Sequence, residues 1–135
     1  MADNWFSNFK PYDIPLIRDG IAYVTPEHFF QAMKTLDPRV RRAIAAAPTP
    51  REAKRLGRKA DLRPDWEEAK VAVMFAAQAH RYRPGTEMLE RLVATEGEIV
   101  EWNTWHDQTW GKCTCSRCRG EGENLLGFIL MEIRG

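Results

Sequence analysis

The chain has no long hydrophobic run. Its longest apolar stretches, such as Val71 to Ala77, fall far short of the ~20 residues that cross a bilayer, so no membrane association is expected. Neither sign of charge is in excess. Twenty Lys and Arg stand against 19 Asp and Glu, a net charge of +1, which argues against a protein that coats nucleic acid through bulk charge. Residues Met1 to Trp5 hold neither a basic cluster nor an apolar segment of the secretory kind, and a cytoplasmic location is expected. Cysteine is scarce, with three in all, crowded into Cys113-Thr114-Cys115-Ser116-Arg117-Cys118. An odd number of clustered thiols in a reducing compartment points to free thiols or metal ligands before disulfides. Internal repeats, low-complexity tracts and long linkers are also missing. The 135 residues therefore read as one domain, able to bury about two-thirds of its unfolded surface without a staple.

What is present is apolar content and tryptophan. Hydrophobic residues make up 44% of the chain, which excludes disorder. Five Trp in so short a sequence supply flat faces that can stack on a planar ligand.

Helix starts recur. Thr25-Pro26-Glu27, Asp37-Pro38-Arg39 and Thr49-Pro50-Arg51 each pair a capping side chain with Pro at the first helical position, where a missing N–H costs nothing. They predict helices over about 26–35, 38–46 and 50–59. A fourth starts near Pro64-Asp65 and runs to about Arg81, with Trp66, Val73, Met74 and Ala77 on one face. A shorter one follows Pro84-Gly85. The last covers about 123–133, with Leu126, Ile129, Leu130 and Ile133 at helical spacing. Strand signals are short: Phe6 to Phe9, Ile21 to Val24 and Ile99 to Trp102. The expected fold is mainly α, a single-domain bundle of about six helices with a minor β component. Between about Thr104 and Gly122 lies a long aperiodic loop, and such loops often carry function.

The balanced charge is an average. Between Arg39 and Arg63 nine basic residues face only Glu52 and Asp61, whereas between Pro84 and Asp107 six acids face only Arg91. Such runs are either solvated helix faces or, for the basic one, a rim that attracts a phosphate-bearing ligand.

Several groups of residues are suited to chemistry. Glu27, Gln31 and Lys34 are spaced i, i+4, i+7 along one helix stripe, beside an apolar side of Phe29, Phe30 and Met33. A stripe of this kind is more often a solvated face than a site. Glu27, however, falls in the first turn, where the helix dipole favours its anion. A partly buried lysine beside it can act as proton donor or nucleophile, because burial lowers its pKa. His106-Asp107-Gln108-Thr109-Trp110-Gly111 places an acid near a stacking platform, or is a plain turn. Trp66 reads first as core. Asn124 either caps the last helix or binds a ligand hydroxyl. His28 and His80 read as structural. Cys113, Cys115 and Cys118 can wrap a zinc ion, with His106 as the candidate fourth ligand, or remain free thiols.

In order along the chain, these segments resemble the NADAR family of small N-glycosidases, also called YbiA-like. The matching stretches begin with Phe6-Ser7-Asn8-Phe9, Thr25-Pro26-Glu27-His28-x-Phe30-Gln31-Ala32-x-Lys34 and Ala53-Lys54-x-x-Gly57-Arg58. They continue with Asp65-Trp66-x-x-x-Lys70-x-x-x-Met74, Ile99-Val100-Glu101, Asp107-x-x-Trp110-Gly111 and Asn124-x-Leu126-Gly127-x-x-Leu130-Met131-x-x-Arg134. The resemblance implies a mainly α fold and cleavage of a ribose-to-base N-glycosidic bond. Family substrates are ADP-ribose attached to guanine in nucleic acid and phosphorylated pyrimidine intermediates of riboflavin synthesis. It further implies Glu27, Lys34 and Asp107 as catalytic residues, with Lys34 either contacting phosphate or forming a Schiff base. Asn8, Gln31, Arg58, Trp66, Trp110, Gly111 and Asn124 would bind substrate.

No cofactor is expected to be required; the Cys cluster is a candidate for a structural zinc, with free thiols the alternative, and a functional pairing with an ADP-ribosyltransferase is a further expectation. A catalytically idle binding module for ADP-ribose or nucleic acid is the reading from another class. The chain departs from the family where a Gly- and Lys-rich loop usually follows Trp110-Gly111. Here that loop carries the three Cys, and Glu123 stands where a Lys often precedes the Asn.

Overall fold

A computed structural model describes residues 6–135. The chain forms two compact units, one up to Arg81 and one from Tyr82 to Gly135.

In the first unit, β1 (Leu16–Arg18) and β2 (Ile21–Tyr23) make an antiparallel hairpin. Its turn is Asp19-Gly20, with φ of 54° and 77°. Tight hairpin turns require such positive values, and Asp and Gly tolerate them best. Leu16, Ile21 and Tyr23 point into the core. Helices α1 (Pro26–Ala32), α2 (Pro38–Ala45), α3 (Pro50–Lys59) and α4 (Trp66–Arg81) follow. The side chains of Thr25, Asp37 and Thr49 accept hydrogen bonds from the backbone N–H groups of His28, Arg39 and Glu52, so the three Pro-led starts work as the sequence indicates.

Helix α1 lies at the centre. All seven of its residues are buried, and it packs against α2, α3, α4 and β2. Gly57 on α3 allows this approach: a Cβ there would sit 2.1 Å from Gln31 Oε1 and 2.9 Å from Gln31 Cβ. The segment before β1 is fastened to α4. Tyr12 donates its hydroxyl to the Ala77 carbonyl at 2.7 Å, and the buried Arg81 guanidinium donates to the carbonyls of Ser7, at 2.7 Å, and Lys10.

The second unit holds α5 (Glu87–Val93), capped by Thr86, and α6 (Leu125–Arg134). Between them β3 (Trp102–Asn103) and β4 (Lys112–Cys113) pair in parallel, and Cys113 also bridges antiparallel to Glu121. Leu92, Ile99, Leu126, Ile129 and Leu130 are buried. The architecture is mainly α with a minor β component, as expected. Among the described residues no helix is long and apolar enough to cross a membrane.

The structure corrects several local expectations. Phe6 to Phe9 is a turn, not a strand: the Ser7 hydroxyl accepts from Phe9 N–H and its carbonyl from Lys10 N–H, both at 3.1 Å, the local competition that small polar side chains offer. Strand β1 arises where none was expected. The Ile99–Trp102 strand shrinks to start at Trp102, because the Asn124 side chain takes the Ile99 carbonyl and the Glu101 N–H. Helix α1 stops at Ala32 instead of 35; Lys34 N–H bonds to the Gln31 carbonyl in a tighter turn. Helix α6 starts at Leu125, two residues late. Trp102 and Trp105 are 56% and 66% exposed. Trp5 lies outside the described residues.

The Gly57 contact yields a test. Gly57→Ala should destabilise the protein by about 1–3 kcal/mol, the usual cost of overpacking, read from a urea unfolding curve. An unchanged midpoint would show that α1 and α3 have room to part.

Candidate active site

Glu27 sits in the first turn of α1, 8% exposed, and accepts a 2.6 Å hydrogen bond from Gln31 Nε2 one turn later. Its backbone N–H donates to the Asn8 carbonyl at 3.1 Å. This places the Asn8 segment beside the helix start. The Asn8 side chain is itself engaged, with Oδ1 accepting from Gln78 Nε2 at 2.6 Å and Nδ2 facing the Met74 sulfur. Gln31 Oε1 is buried without a hydrogen-bond partner. The stripe of Glu27 and Gln31 is therefore not a solvated face, which removes the plainer of its two readings.

Lys34 follows the helix end, half-buried, with Nζ 5.7 Å from the Phe30 ring centre. Phe30 also meets Trp66 edge-on, ring centres 5.2 Å apart. Trp66 is 7% exposed, so it acts here as core packing that backs Phe30. Burial pushes the Lys34 pKa below the usual lysine value. The Glu27 carboxylate opposes this, while the positive charges of Lys54 and Arg58 on α3 reinforce it. One carboxylate and three cations thus feel one another at the α1–α3 contact. The rest of the basic rim is thinner than the sequence suggests. Arg41 donates to the Thr35 carbonyl at 2.8 Å, Arg55 pairs with Glu52, and Arg63 pairs with Asp65 at 2.7 Å. A groove of about 480 Å³ along α2 and α3, lined by Val40, Ala43, Leu56 and Lys59 among others, holds none of the candidate residues.

In the second unit, Asp107 Oδ1 accepts from the N–H groups of Thr109 and Trp110, at 3.0 and 2.9 Å. The Asn103 side chain grips Asp107 from behind, accepting from its N–H at 3.1 Å and donating to its carbonyl at 2.8 Å. Asp107 and the half-buried Trp110 are thereby held in one turn. Gly111 is required by proximity: a Cβ there would lie 2.0 Å from the Glu101 carbonyl oxygen. Asn124 is 1% exposed with φ of 56°. It does not cap α6. Its amide accepts from Glu101 N–H and donates to the Ile99 carbonyl, both at 2.9 Å, and so anchors the motif that precedes β3.

The three Cys are free thiols and come together with His106. A ring nitrogen of His106 and the three sulfurs all lie within 4.8 Å of one another, a set that can hold a metal ion. The backbone N–H of Cys118 is the main reason the Cys115 thiol pKa is lowered to about 6.

Some residues that shape these groups are not evident in the sequence. Glu101 is half-buried, with its Oε1 atom shut off from solvent and unpartnered, and its pKa is raised by burial and then by the Asp107 charge. Gln78 and Asn103 are buried side-chain amides that hold Asn8 and Asp107. The only advance signal for Gln78 is a polar residue one turn after Met74 on an otherwise apolar face.

A NADAR domain family model matches residues 1–135, and the chain belongs to the NADAR family. The N-glycosidase YbiA of Escherichia coli (strain K12) is 37% identical over 131 residues, covering 96% of this chain and 78% of the relative. The N-glycosidase Npun_R5314 of Nostoc punctiforme is 34% identical over 134 residues, covering 96% and 82%. The chloroplastic riboflavin biosynthesis protein PYRR of Zea mays is 33% identical over 144 residues, covering 96% of this chain and 22% of that protein. The NMR structure of E. coli YbiA superposes with a TM-score of 0.78 at 36% identity, covering 98% and 78% of the two chains. The chain is thus an enzyme of a family with curated members named N-glycosidases.

Two titrations test the electrostatics. Glu27→Gln removes the influence that raises the Lys34 pKa, so the pKa should fall further, whereas Lys54→Met and Arg58→Met should each raise it. Lysine-side-chain NMR across pH reads all three, and a wild-type Lys34 at the ordinary value of about 10.4 would contradict the arrangement. For Glu101 the folded-state pKa lies above the unfolded one. Its ionisation therefore costs stability as pH rises from the ordinary carboxylate range through the folded pKa. Glu101→Gln should be more stable than wild type near about pH 7, with the gain gone by about pH 4. A variant less stable at both values would mean that the carboxylate has a favourable partner.

Proposed function

We propose that this chain is an N-glycosidase that hydrolyses the bond between ribose and a nitrogen base in a phosphate-bearing substrate. The substrate assigned is ADP-ribose on guanine in nucleic acid. The observation that carries the reading is the buried Glu27–Gln31 pair, with half-buried Lys34 beside it and Lys54 and Arg58 close enough to perturb it. Breaking an N-glycosidic bond leaves positive charge on the ribose and negative charge on the base. A fixed carboxylate steadies the first or takes a proton from the attacking water, and an acid returns a proton to the base. Glu27 is suited to the carboxylate role because Gln31 holds it in one rotamer. The three cations supply phosphate affinity.

Lys34 has two roles open to it. It holds phosphate as a cation, or its neutral amine attacks the ribose C1 as the bond to the base breaks and the base leaves with a proton; the ribose ring then opens to an imine at Lys34, and one water hydrolyses that imine, freeing the sugar and the amine. A depressed pKa favours the neutral amine that the second role needs. The family resemblance adds Asp107 as a second carboxylate. It also adds Asn8, Trp66, Trp110, Gly111 and Asn124 as groups that shape or bind the substrate. Hydrolysis of this kind calls for no redox cofactor, and a closed set of four protein ligands such as His106 with three Cys suits a structural metal rather than a chemical one. An enzyme that removes ADP-ribose from guanine reverses the work of a nucleic-acid ADP-ribosyltransferase, and we assign it that counterpart, in the cytoplasm.

A second reading, cleavage of a phosphoribosyl-pyrimidine intermediate, is favoured by the maize relative named for riboflavin biosynthesis. The two are separated by a product assay on an ADP-ribosylated guanine oligonucleotide beside a phosphoribosyl-pyrimidine. Release of ADP-ribose is expected, and cleavage of neither substrate would favour a binding module. Glu27→Ala should stay folded and lose a factor on the order of 10² or more in turnover if Glu27 is the acid/base group; full activity would refute that role. Borohydride added during turnover should trap an adduct at Lys34 if the imine forms, and its absence leaves Lys34 as the phosphate ligand.

A further inference from the structure

We propose that His106, Cys113, Cys115 and Cys118 bind one zinc ion in a tetrahedral site, and that this ion braces the loop between β3 and α6. The proposal stands apart from the choice of substrate, since it rests on the second unit alone.

The distances suit the ion. Zinc bonds of about 2.3 Å to sulfur and 2.0–2.1 Å to nitrogen make a tetrahedron with edges of roughly 3.6–3.8 Å by the same geometry. His106 Nδ1 lies 3.2 Å from Cys115 Sγ and 3.5 Å from Cys118 Sγ, and no pair in the set of four is more than 4.8 Å apart. The donor set selects the metal. Three thiols and one imidazole suit zinc, whereas magnesium and calcium prefer oxygen ligands and the common iron–sulfur clusters want four Cys. Binding would release the three thiol protons and leave a complex of net charge −1, next in sequence to the cations Arg117 and Arg119.

The backbone is arranged for such a complex. The N–H of His106 points at Cys113 Sγ (3.3 Å), that of Cys115 at the same sulfur (3.5 Å), and that of Cys118 at Cys115 Sγ (3.4 Å). Amide donors on ligand sulfurs are the usual outer support of a thiolate site. Three residues in the left-handed region bend the chain at the cluster: His106 (φ 70°), Arg119 (φ 55°) and Gly120 (φ 81°). Cys113 is fully buried and locked on both sides, donating its N–H to the Glu121 carbonyl at 3.0 Å and accepting from Gly120 N–H at 2.6 Å. A disulfide would use two thiols and strand the third.

The unit also has use for a staple. Its regular structure is two short helices and two strands of two residues each, and small cores of this kind commonly rely on a metal or disulfide. The ion would tie His106, before the Asp107–Trp110 turn, to Cys113, Cys115 and Cys118 after it. Both ends of that turn would then be fixed.

The test is metal analysis of the full chain, purified under reducing conditions without added metal. About one zinc per chain is expected, with chelation lowering the thermal midpoint and zinc restoring it. Cobalt titrated into the chelated protein should give the absorption bands of a tetrahedral thiolate site, saturating at one equivalent. His106→Ala, at an exposed ring, and Cys115→Ser, at a half-exposed thiol, should each lose zinc while keeping the helical circular dichroism. Less than about a tenth of an equivalent, together with no tetrahedral cobalt spectrum, would overturn the proposal. So would iron in place of zinc, a mass lower by two hydrogens under the same conditions, or full zinc retention in a His106→Ala, Cys115→Ser double variant.

Discussion

Helix α1 is buried along its whole length, yet Glu27, His28 and Gln31 are polar. A buried polar group without a partner costs about 1–3 kcal/mol, so the surroundings of α1 are set by the need to satisfy these three. His28 is bonded at both ring nitrogens, Nδ1 to the Thr25 hydroxyl at 2.7 Å and Nε2 to the Ala47 carbonyl at 3.0 Å. Thr25, in turn, caps the helix by accepting the His28 N–H. The imidazole thus joins the start of α1 to the end of α2 and is structural, as its isolation in the sequence suggested. Glu27 and Gln31 satisfy each other in part, and Gly57 leaves Gln31 the space to do so.

That arrangement leaves a residue of unmet demand. Gln31 Oε1 keeps no hydrogen-bond partner, and Lys34 is held where its charge is disfavoured. A fold under selection for stability alone would relieve both with apolar side chains. Their presence together at the contact of α1 with α3 is what supports the reading of that contact as the candidate site. Charge works in the same direction: most of the basic segment between Arg39 and Arg63 is exposed or paired with local acids, and Lys54 and Arg58 are the members that bear on Lys34.

In the second unit, side-chain amides do the work that strands do elsewhere. Asn124 supplies the hydrogen bonds that would otherwise come from a strand partner of Ile99 to Glu101, and Asn103 braces the turn at Asp107. Asn tolerates the left-handed backbone that Asn124 adopts, so one residue both turns the chain into α6 and secures the segment beside it. The glycines at 111 and 127 allow the close approaches: a Cβ at Gly127 would lie 2.3 Å from Asn124 Nδ2 and from the Ile99 carbonyl oxygen. The thiols of Cys113, Cys115 and Cys118 and the His106 imidazole are gathered on the same loop.

The sequence by itself determined the helices, because capping residues and Pro at the first turn act within four residues of one another, and the apolar faces of α4 and α6 follow from helical spacing. It also determined the family, through motifs in unbroken order, and it marked the His106 and Cys cluster as candidate ligands. The β1–β2 hairpin was not read from the sequence, because the strand before the Asp19-Gly20 turn is only three residues long. Only the tertiary structure decided the rest. Whether the Glu27 stripe faced water or the core depended on α3 approaching at Gly57, a contact between residues far apart in sequence. That Trp66 packs on Phe30, that Asn124 serves backbone groups instead of a helix cap, and that Glu101 is a half-buried acid that feels the Asp107 charge are likewise facts of packing. Capping and periodicity are local and can be read along the chain; burial, the partner of a polar group and the perturbation of a pKa are set by neighbours that only folding brings together.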